Sequence, residues 1–280
     1  MKTFKIFNNP NKKSFDVAAD LRGKLLATGQ FIEIGSSDRD RVASAREASA
    51  AEFVFSVGGD GCFLKSVRET VVSDDTKFIG VNTGTLGFLQ SVKPDAVDVL
   101  VRHLADGEYH MQKLSFIKCT ATFDGGEHQI LHSLNELVVR NENLHILDLK
   151  IRVDGEELET YAGDGVLVAT STGSTAYNLS LGGSIVHERF HTLQLTPIAP
   201  LTTIAHSLTN SLVMPEGSFL EMSPAKRAQD LLVCTDGYNT IIRDVAHLKV
   251  ELDKRRVNRL IIDEHSFWQR INEKILRRGN

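Results

Sequence analysis

At 280 residues, the chain exceeds the usual single domain of ~100 to 150 residues, so one large or two moderate domains are expected. Its 32 Lys and Arg against 36 Asp and Glu give a net charge of -4, which argues against wholesale binding of nucleic acid or anionic membrane but allows a local basic pocket for one small anion. The three cysteines, Cys62, Cys119 and Cys234, are odd in number and widely separated, which supports neither a disulfide framework nor a Cys-x-x-Cys metal knuckle and fits a reducing cytoplasm.

The first ten residues lack the apolar h-region of a signal peptide, and no apolar run approaches the ~20 residues of a membrane span. Residues 4–8 predict a short strand, and Ser14 to Thr28 a helix carrying Phe15, Ala18, Ala19, Leu21, Leu25 and Leu26, ended by Gly29. A strand over 53–57, a helix from about Cys62 to Val72 and a buried strand over 78–82 complete the βαβ rhythm of a parallel sheet. From about Glu108 the pattern changes to extended runs separated by turn dipeptides: Ser115 to Phe123 before Asp124-Gly125-Gly126, and Leu147 to Val153 before Asp154-Gly155. With Gly165 to Ala169, Leu231 to Cys234 and Val245 to Leu252, these predict a mainly antiparallel domain. A strand or turn over 259–262 and an amphipathic helix over 267–276 close the chain, the helix being expected to pack back on the first domain. The expected fold is therefore an α/β N-terminal domain with a parallel sheet, residues 1–104 completed by 256–280, and a β-rich domain over 105–255.

The strand Phe53-Val54-Phe55-Ser56-Val57 runs straight into Gly58-Gly59-Asp60-Gly61. Glycines let a polyphosphate approach the backbone and accept hydrogen bonds from successive N–H groups. A carboxylate repels phosphate, so Asp60 suits holding a metal ion or taking a proton from an attacking hydroxyl, which together suggest phosphoryl transfer. A tight turn with a solvated Asp is the alternative. A second glycine turn, Thr83-Gly84-Thr85-Leu86-Gly87-Phe88, follows the next strand, and ligands of parallel sheets sit at such carboxyl ends.

In the second half, the strand from Gly163-Asp164-Gly165 opens into the hydroxyl-rich stretch Thr170 to Ser180. Its N–H and O–H groups could select sugar hydroxyls or base edges, with Tyr177 stacking on a planar ring, or it is simply a Ser/Thr turn entering a helix. Asn135-Glu136 lies amid Leu134 and Leu137-Val138-Val139, and adjacent polar residues in a strand place at least one toward its buried or ligand-facing side. An amide beside a carboxylate suits paired ribose hydroxyls; an exposed strand pair is the other reading. His187-Glu188-Arg189-Phe190-His191 matches the H-E-x-x-H zinc pattern, but the strand-like Thr192 to Pro197 leaves little length for the helix that pattern needs. The other histidines show no metal-ligand spacing, and neither a Walker loop nor a strand followed by G-x-G-x-x-G is present.

Taken in order, Gly58-Gly59-Asp60-Gly61, Asn82 to Phe88, Asn135-Glu136, Asp164-Gly165, Thr172 to Asn178 and Leu195 to Pro200 resemble the NAD kinase family, from the first strand to the last helix. The resemblance implies transfer of a phosphoryl group from ATP, or polyphosphate, to the 2′-hydroxyl of the adenosine ribose of NAD, giving NADP. It implies Asp60 as the base, the N–H groups of Gly58, Gly59 and Gly61 around the donor, and Mg²⁺ or another divalent cation bridging the donor oxygens. Asn135 and Glu136 would anchor the substrate, with Phe88, Asp164, Thr175, Ala176, Tyr177, Asn178, Ser180 and Ala199 lining the dinucleotide pocket. A cytoplasmic homodimer or homotetramer is implied as well, with no nucleic-acid or membrane partner.

The chain departs from the family pattern at Cys62, where Thr or Ser is usual, at Ser171 in place of a frequent proline, and at Ala162, where many members carry a basic residue. Cys62 near a helix N-terminus is expected to have a lowered thiol pKa and to be sensitive to oxidants. Alternatives from other classes are a lipid or sugar kinase with a similar loop, a non-catalytic NAD-sensing module, and a zinc hydrolase.

Overall fold

The computed structural model describes residues 1–34, 51–70, 72–84, 87–202, 208–225, 230–262 and 266–276. The chain divides into two compact units, Met1–Lys113 with Arg255–Asn280, and Leu114–Lys254.

The first unit is built on β1 (Lys2–Asn8), β2 (Phe31–Glu33), β3 (Phe53–Gly58), β4 (Lys77–Asn82) and β5 (His110–Leu114), with α1 (Lys12–Ala27), α2 (Asp60–Arg68) and α3 (Val97–Asp106) between them. The chain returns late to this sheet through β17 (Val257–Ile261), giving the order β2-β1-β3-β4-β17-β5. The pairs β1/β2, β1/β3, β3/β4 and β4/β17 are parallel. Every residue of β3 is buried, as a strand covered on both faces requires. The register pairs Asn8 with Val57 and Gly58 with Asn82, so β1, β3 and β4 end side by side and the loops after them leave the sheet at one edge.

The core packs Phe4, Phe31, Phe53, Phe55, Ile79 and Leu260 against Leu21 and Leu25 of α1 and Leu100 and Leu104 of α3. The buried stripe of α1 is Ser14, Ala18, Leu21 and Leu25, at helical spacing. Phe15, Ala19 and Leu26, expected on that stripe, are exposed. The inward position of the first turn belongs to Ser14, whose hydroxyl lies 2.6 Å from that of Thr83. The closing segment forms a capped five-residue helix, α5 (Phe267–Ile271), and continues as a π-helical turn over Asn272–Leu276.

The second unit is one mainly antiparallel sheet: β6 (Ile117–Phe123), β7 (His128–Ser133), β8 (Glu136–Asn141), β9 (Leu147–Val153), β10 (Glu156–Thr170), β11 (Thr192–Pro200), β12 (Leu212–Pro215), β13 (Phe219–Pro224), β14 (Leu231–Thr235), β15 (Tyr238–Ile242) and β16 (Val245–Leu252). The long β10 pairs with β9 along its first half and with β8 and β11 along its second. Val139, Val166, Val168 and Leu193 enter the main core, while Val138, Leu167, Ala169 and Ile198 form a second cluster. β14 and β15 join through Asp236-Gly237, both at positive φ (48° and 82°), the two-residue turn that matches the strand twist.

His187 to His191 forms turns rather than helix, and Thr192 begins β11. His191 Nδ1 lies 2.8 Å from Ser115 Oγ, and the described residues contain no cluster of three metal-ligating side chains. The zinc pattern is a coincidence of letters.

Candidate functional site

In the first unit, the three loops at the sheet edge enclose a cleft of about 410 Å³ lined by Asn9, Asn11, Gly59, Asp60, Thr83, Gly84, Gly87 and Lys274. Thr85 and Leu86 of the second glycine turn lie outside the described residues. Asp60 is the first residue of α2, where the helix dipole favours a carboxylate. Its Oδ2 accepts the N–H of Phe88 at 2.7 Å and its Oδ1 that of Leu89 at 3.0 Å. The carboxylate thus ties the first glycine loop to the second. Gln90 Nε2 reaches back to the carbonyl of Gly59 at 2.7 Å, and Arg259 of β17 donates to the carbonyl of Phe88 at 2.8 Å. The Lys274 ammonium lies 4.4 Å from the centroid of the Phe88 ring.

The glycines fall into two kinds. A Cβ on Gly87 would stand 1.9 Å from Asp60 Oδ1, and one on Gly58 would meet Cys62 Cβ at 2.7 Å and the Asn9 amide at 2.8 Å. These two are glycine because protein fills the space. A Cβ on Gly59 or Gly61 would have nothing within 4 Å, and neither residue has a positive φ. Folding does not require glycine there, so the bare backbone is open to a ligand.

The expectation for Cys62 is reversed. Although it lies in the first turn of α2, the side chain is buried, its Sγ faces the carbonyls of Phe7 and Val57, and burial pushes the thiol up to about 11. A thiol that stays protonated is a poor nucleophile.

In the second unit, Asn135 and Glu136 are not inside a strand: Asn135 lies in the bend between β7 and β8, and Glu136 opens β8. The period-two argument fails there because the local N–H groups are drawn to a side chain. The Asp236 carboxylate accepts the N–H groups of Leu134 (2.7 Å), Asn135 (2.8 Å) and Glu136 (3.3 Å) and the hydroxyl of Ser133 (2.8 Å). Burial pushes the Asp236 carboxyl up, against those four hydrogen bonds. Glu136 is pushed up to about 8, first by burial and then by the charge of Asp236. Asn135 Oδ1 and Glu136 Oε2 are buried without a hydrogen-bond partner among the described residues, an arrangement that invites hydroxyl or amide donors from a ligand.

The hydroxyl-rich segment is a 3-10 turn over Thr172–Thr175 followed by the short α4 (Tyr177–Ser180). It docks directly on the Asn135 bend: Thr170 N–H donates to the Asn135 carbonyl at 2.9 Å, and a Cβ on Gly173 would lie 2.0 Å from that same oxygen. Thr175 and Ala176 are half-buried, and Tyr177 and Ser180 are exposed. Arg140 of β8 passes Gly165 and donates to the Tyr177 hydroxyl at 3.0 Å, linking the Asp164-Gly165 kink to this turn.

Asp164 is exposed, as is Ala199 on β11, which sits at φ 44° in the left-handed region. Beneath them the buried Tyr161 hydroxyl reaches the carbonyls of Gly165 (2.6 Å) and Ile198 (2.8 Å) and fixes the kink. Ala162 is buried on β10.

Asn178 differs from its expected place in the pocket lining. It is completely buried, its NH₂ donating to Ser174, Ser184 and Gln194 and its oxygen accepting from Thr196 at 2.7 Å. With both polar atoms of its side chain engaged internally, it braces the turn.

Residues 6–109 match the family model described as the ATP-NAD kinase N-terminal domain, and residues 134–263 that of the ATP-NAD kinase C-terminal domain. The chain is 31% identical to an NAD kinase of Finegoldia magna over 280 residues, 98% of each chain. The chain belongs to the NAD kinase family. It is also 32% identical to an NAD kinase of Streptococcus agalactiae over 229 residues, 80% of this chain and 82% of the other. The fold matches a yeast NADH kinase solved with NADH, at a TM-score of 0.87 and 20% identity over 100% of this chain and 89% of the other. It also matches an NAD kinase of Archaeoglobus fulgidus solved with ATP, at 0.72 and 20% over 95% and 94%.

Against the NAD kinase motifs read from the sequence, five residues that shape the two sites went unnoticed: Asp236, Arg140, Tyr161, Arg259 and Lys274. Asp236 sits in the two-residue turn between β14 and β15, 101 residues from the Asn135 amide that it holds. Arg140, Arg259 and Lys274 lie far along the chain from the groups they meet, as does Tyr161 from Ile198, beyond any short spacing pattern.

Two outcomes follow from this geometry. Gly59→Ala should keep the wild-type melting temperature while weakening binding of a phosphate-bearing ligand, whereas Gly87→Ala, which displaces the Asp60 carboxylate, should lower stability by about 1–3 kcal/mol; thermal melts with and without ATP separate them. Glu136, at about 8 when folded against an ordinary value of 4.5, keeps its proton between those limits while the unfolded chain has lost it. Its contribution to stability is therefore complete below pH 4.5 and falls as pH rises toward 8. Glu136→Gln should remove that fall, so its melting temperature relative to wild type should rise between acid and mildly alkaline pH.

Proposed function

We propose that the chain is an NAD kinase that transfers a phosphoryl group from ATP or polyphosphate to the 2′-hydroxyl of the adenosine ribose of NAD, giving NADP. The observation that carries the reading is Asp60, an acid at the mouth of a bare glycine loop, held in one orientation by the amides of Phe88 and Leu89. A carboxylate oxygen has two acceptor positions, so each Asp60 oxygen keeps one after binding its amide. That is the valence a base needs to orient and deprotonate a hydroxyl.

The backbone of Gly59 and Gly61 and the N-terminus of α2 offer N–H groups to the donor phosphates. Asp60 is the one acid among the described residues lining the cleft, so a divalent cation such as Mg²⁺ would enter with the donor and be held mainly by its phosphate oxygens. When bound, it neutralises charge developing on the transferred group. Because the transition state is loose, alignment by the clamped Asp60 and the glycine backbone contributes more than proton removal itself.

In the second unit, Asn135 and Glu136 anchor ribose hydroxyls through their unpartnered oxygens, and Asp164, Thr175, Ala176, Tyr177, Ser180 and Ala199 provide the remaining dinucleotide contacts. The enzyme works in the cytoplasm as a homodimer or homotetramer; the absence of any helix long and apolar enough to cross a membrane among the described residues is compatible with that location.

Incubation with NAD, Mg²⁺ and either donor, read out with a strictly NADP-dependent dehydrogenase, tests the reading. Wild type should form NADP, and Asp60→Asn should be slower by about 10²- to 10⁴-fold. A near wild-type rate in that variant would remove Asp60 from the chemistry. NAD binding without NADP formation would favour a sensing module.

A further inference from the structure

The C-terminal turn brings into the cleft a charge that none of the family motifs contains. Among the described residues lining it, Lys274 is the one cation and Asp60 the one anion, the rest being asparagine, threonine and glycine. Lys274 sits on the π-helical turn with its ammonium 4.4 Å from the centroid of the Phe88 ring. It is half-buried, is attracted by Asp60 and repelled by Arg270, and burial lowers its pKa. Among the described residues no carboxylate reaches it at ion-pair distance. A flexible ammonium that gains no ion partner would normally stay in water; holding it over an aromatic ring and beside bare glycine N–H groups leaves an anion as the missing partner.

On the reading that the cleft takes a phosphoryl donor, we propose that Lys274 binds the donor's phosphate oxygens, as a point charge supplied by the C-terminal turn. The requirement is for phosphate rather than a single carboxylate. A carboxylate would occupy one or two donors, whereas the N–H groups of the glycine loop, the α2 N-terminus and the ammonium together suit a chain of several oxygens. The ammonium of Lys274 lies over Phe88, so the same residue also covers the ring whose backbone the Asp60 clamp holds.

The test uses the full-length wild type, Lys274→Met, which keeps the apolar stem, and Lys274→Arg, which keeps the charge. Binding of inorganic tripolyphosphate and of ATP is measured by calorimetry, with KM and kcat for donor and for NAD alongside. Lys274→Met should weaken both anions by about 10- to 100-fold, the loss expected for one charge-assisted hydrogen bond, and raise the donor KM by a similar factor. Its NAD KM should stay at the wild-type value and its melting temperature should not fall, and Lys274→Arg should recover part of the affinity. Equal tripolyphosphate binding by wild type and Lys274→Met would overturn the proposal, as would a parallel loss of NAD affinity that Lys274→Arg fails to relieve. Lys274-dependent tripolyphosphate binding by a wild type that forms no NADP would uphold the anion site and overturn the kinase reading instead.

Discussion

A carboxylate standing next to a glycine and gripping consecutive backbone N–H groups of another loop is the interaction on which both candidate sites depend. Loops that carry ligand-binding groups leave the sheet ladder, and their N–H groups lose their partners. Asp60 restores them for Phe88 and Leu89, and Asp236 for Leu134, Asn135 and Glu136. An ionised carboxylate accepts several hydrogen bonds at once, which no other side chain does as compactly, and charge-assisted bonds are stronger than neutral ones. The adjoining glycine lets the acid approach. Gly87 makes room for the Asp60 carboxylate, and Gly237 completes the tight turn that aims Asp236.

The two clamps differ in what they leave free. Asp60 is half-exposed at the cleft and retains acceptor capacity, so it can hold a loop and meet a hydroxyl at once. The Asp236 carboxylate accepts four hydrogen bonds from the bend and acts on Glu136, whose proton affinity it raises. The late return of the chain extends the first clamp. β17 adds to the sheet beside β4 and carries Arg259 to the Phe88 carbonyl, so that Phe88 is held at its N–H by Asp60, at its carbonyl by Arg259 and over its ring by Lys274.

Much of this was legible in the sequence where backbone and side-chain signals coincided. The apolar β3 running into glycine, the Asp-Gly turns of the antiparallel sheet and the small-residue turn after β10 each have a local cause, and local causes are readable from spacing. The residues that were misplaced are those governed by distant partners. Phe15 looked like a core residue, but the stripe of α1 is rotated to bury Ser14 against Thr83. Asn135 looked like part of a strand, but Asp236, 101 residues away, captures its N–H. Cys62 carried the signal of an activated thiol, yet at that depth loss of solvation outweighs the helix dipole.

Several buried oxygens that lack hydrogen-bond partners gather at one place in the second unit. Asn135 Oδ1, Glu136 Oε2, Ser171 Oγ and Thr172 Oγ1 are buried without hydrogen-bond partners among the described residues, and all four lie where β8 meets the turn after β10. Ala199 holds a left-handed conformation on the neighbouring strand, and in the first unit Lys274 carries its charge where burial opposes it. None of these features is needed to close a core, and a chain selected for stability alone would replace each one with a satisfied or apolar group. Bound molecules would supply the missing partners: donors for the amide and carboxyl oxygens of the second unit, and an anion for the ammonium of the first. A dinucleotide rich in hydroxyls and a phosphate chain have those two complementary characters, so the groups that the fold leaves unsatisfied match the chemistry of the substrates of the NAD kinase family.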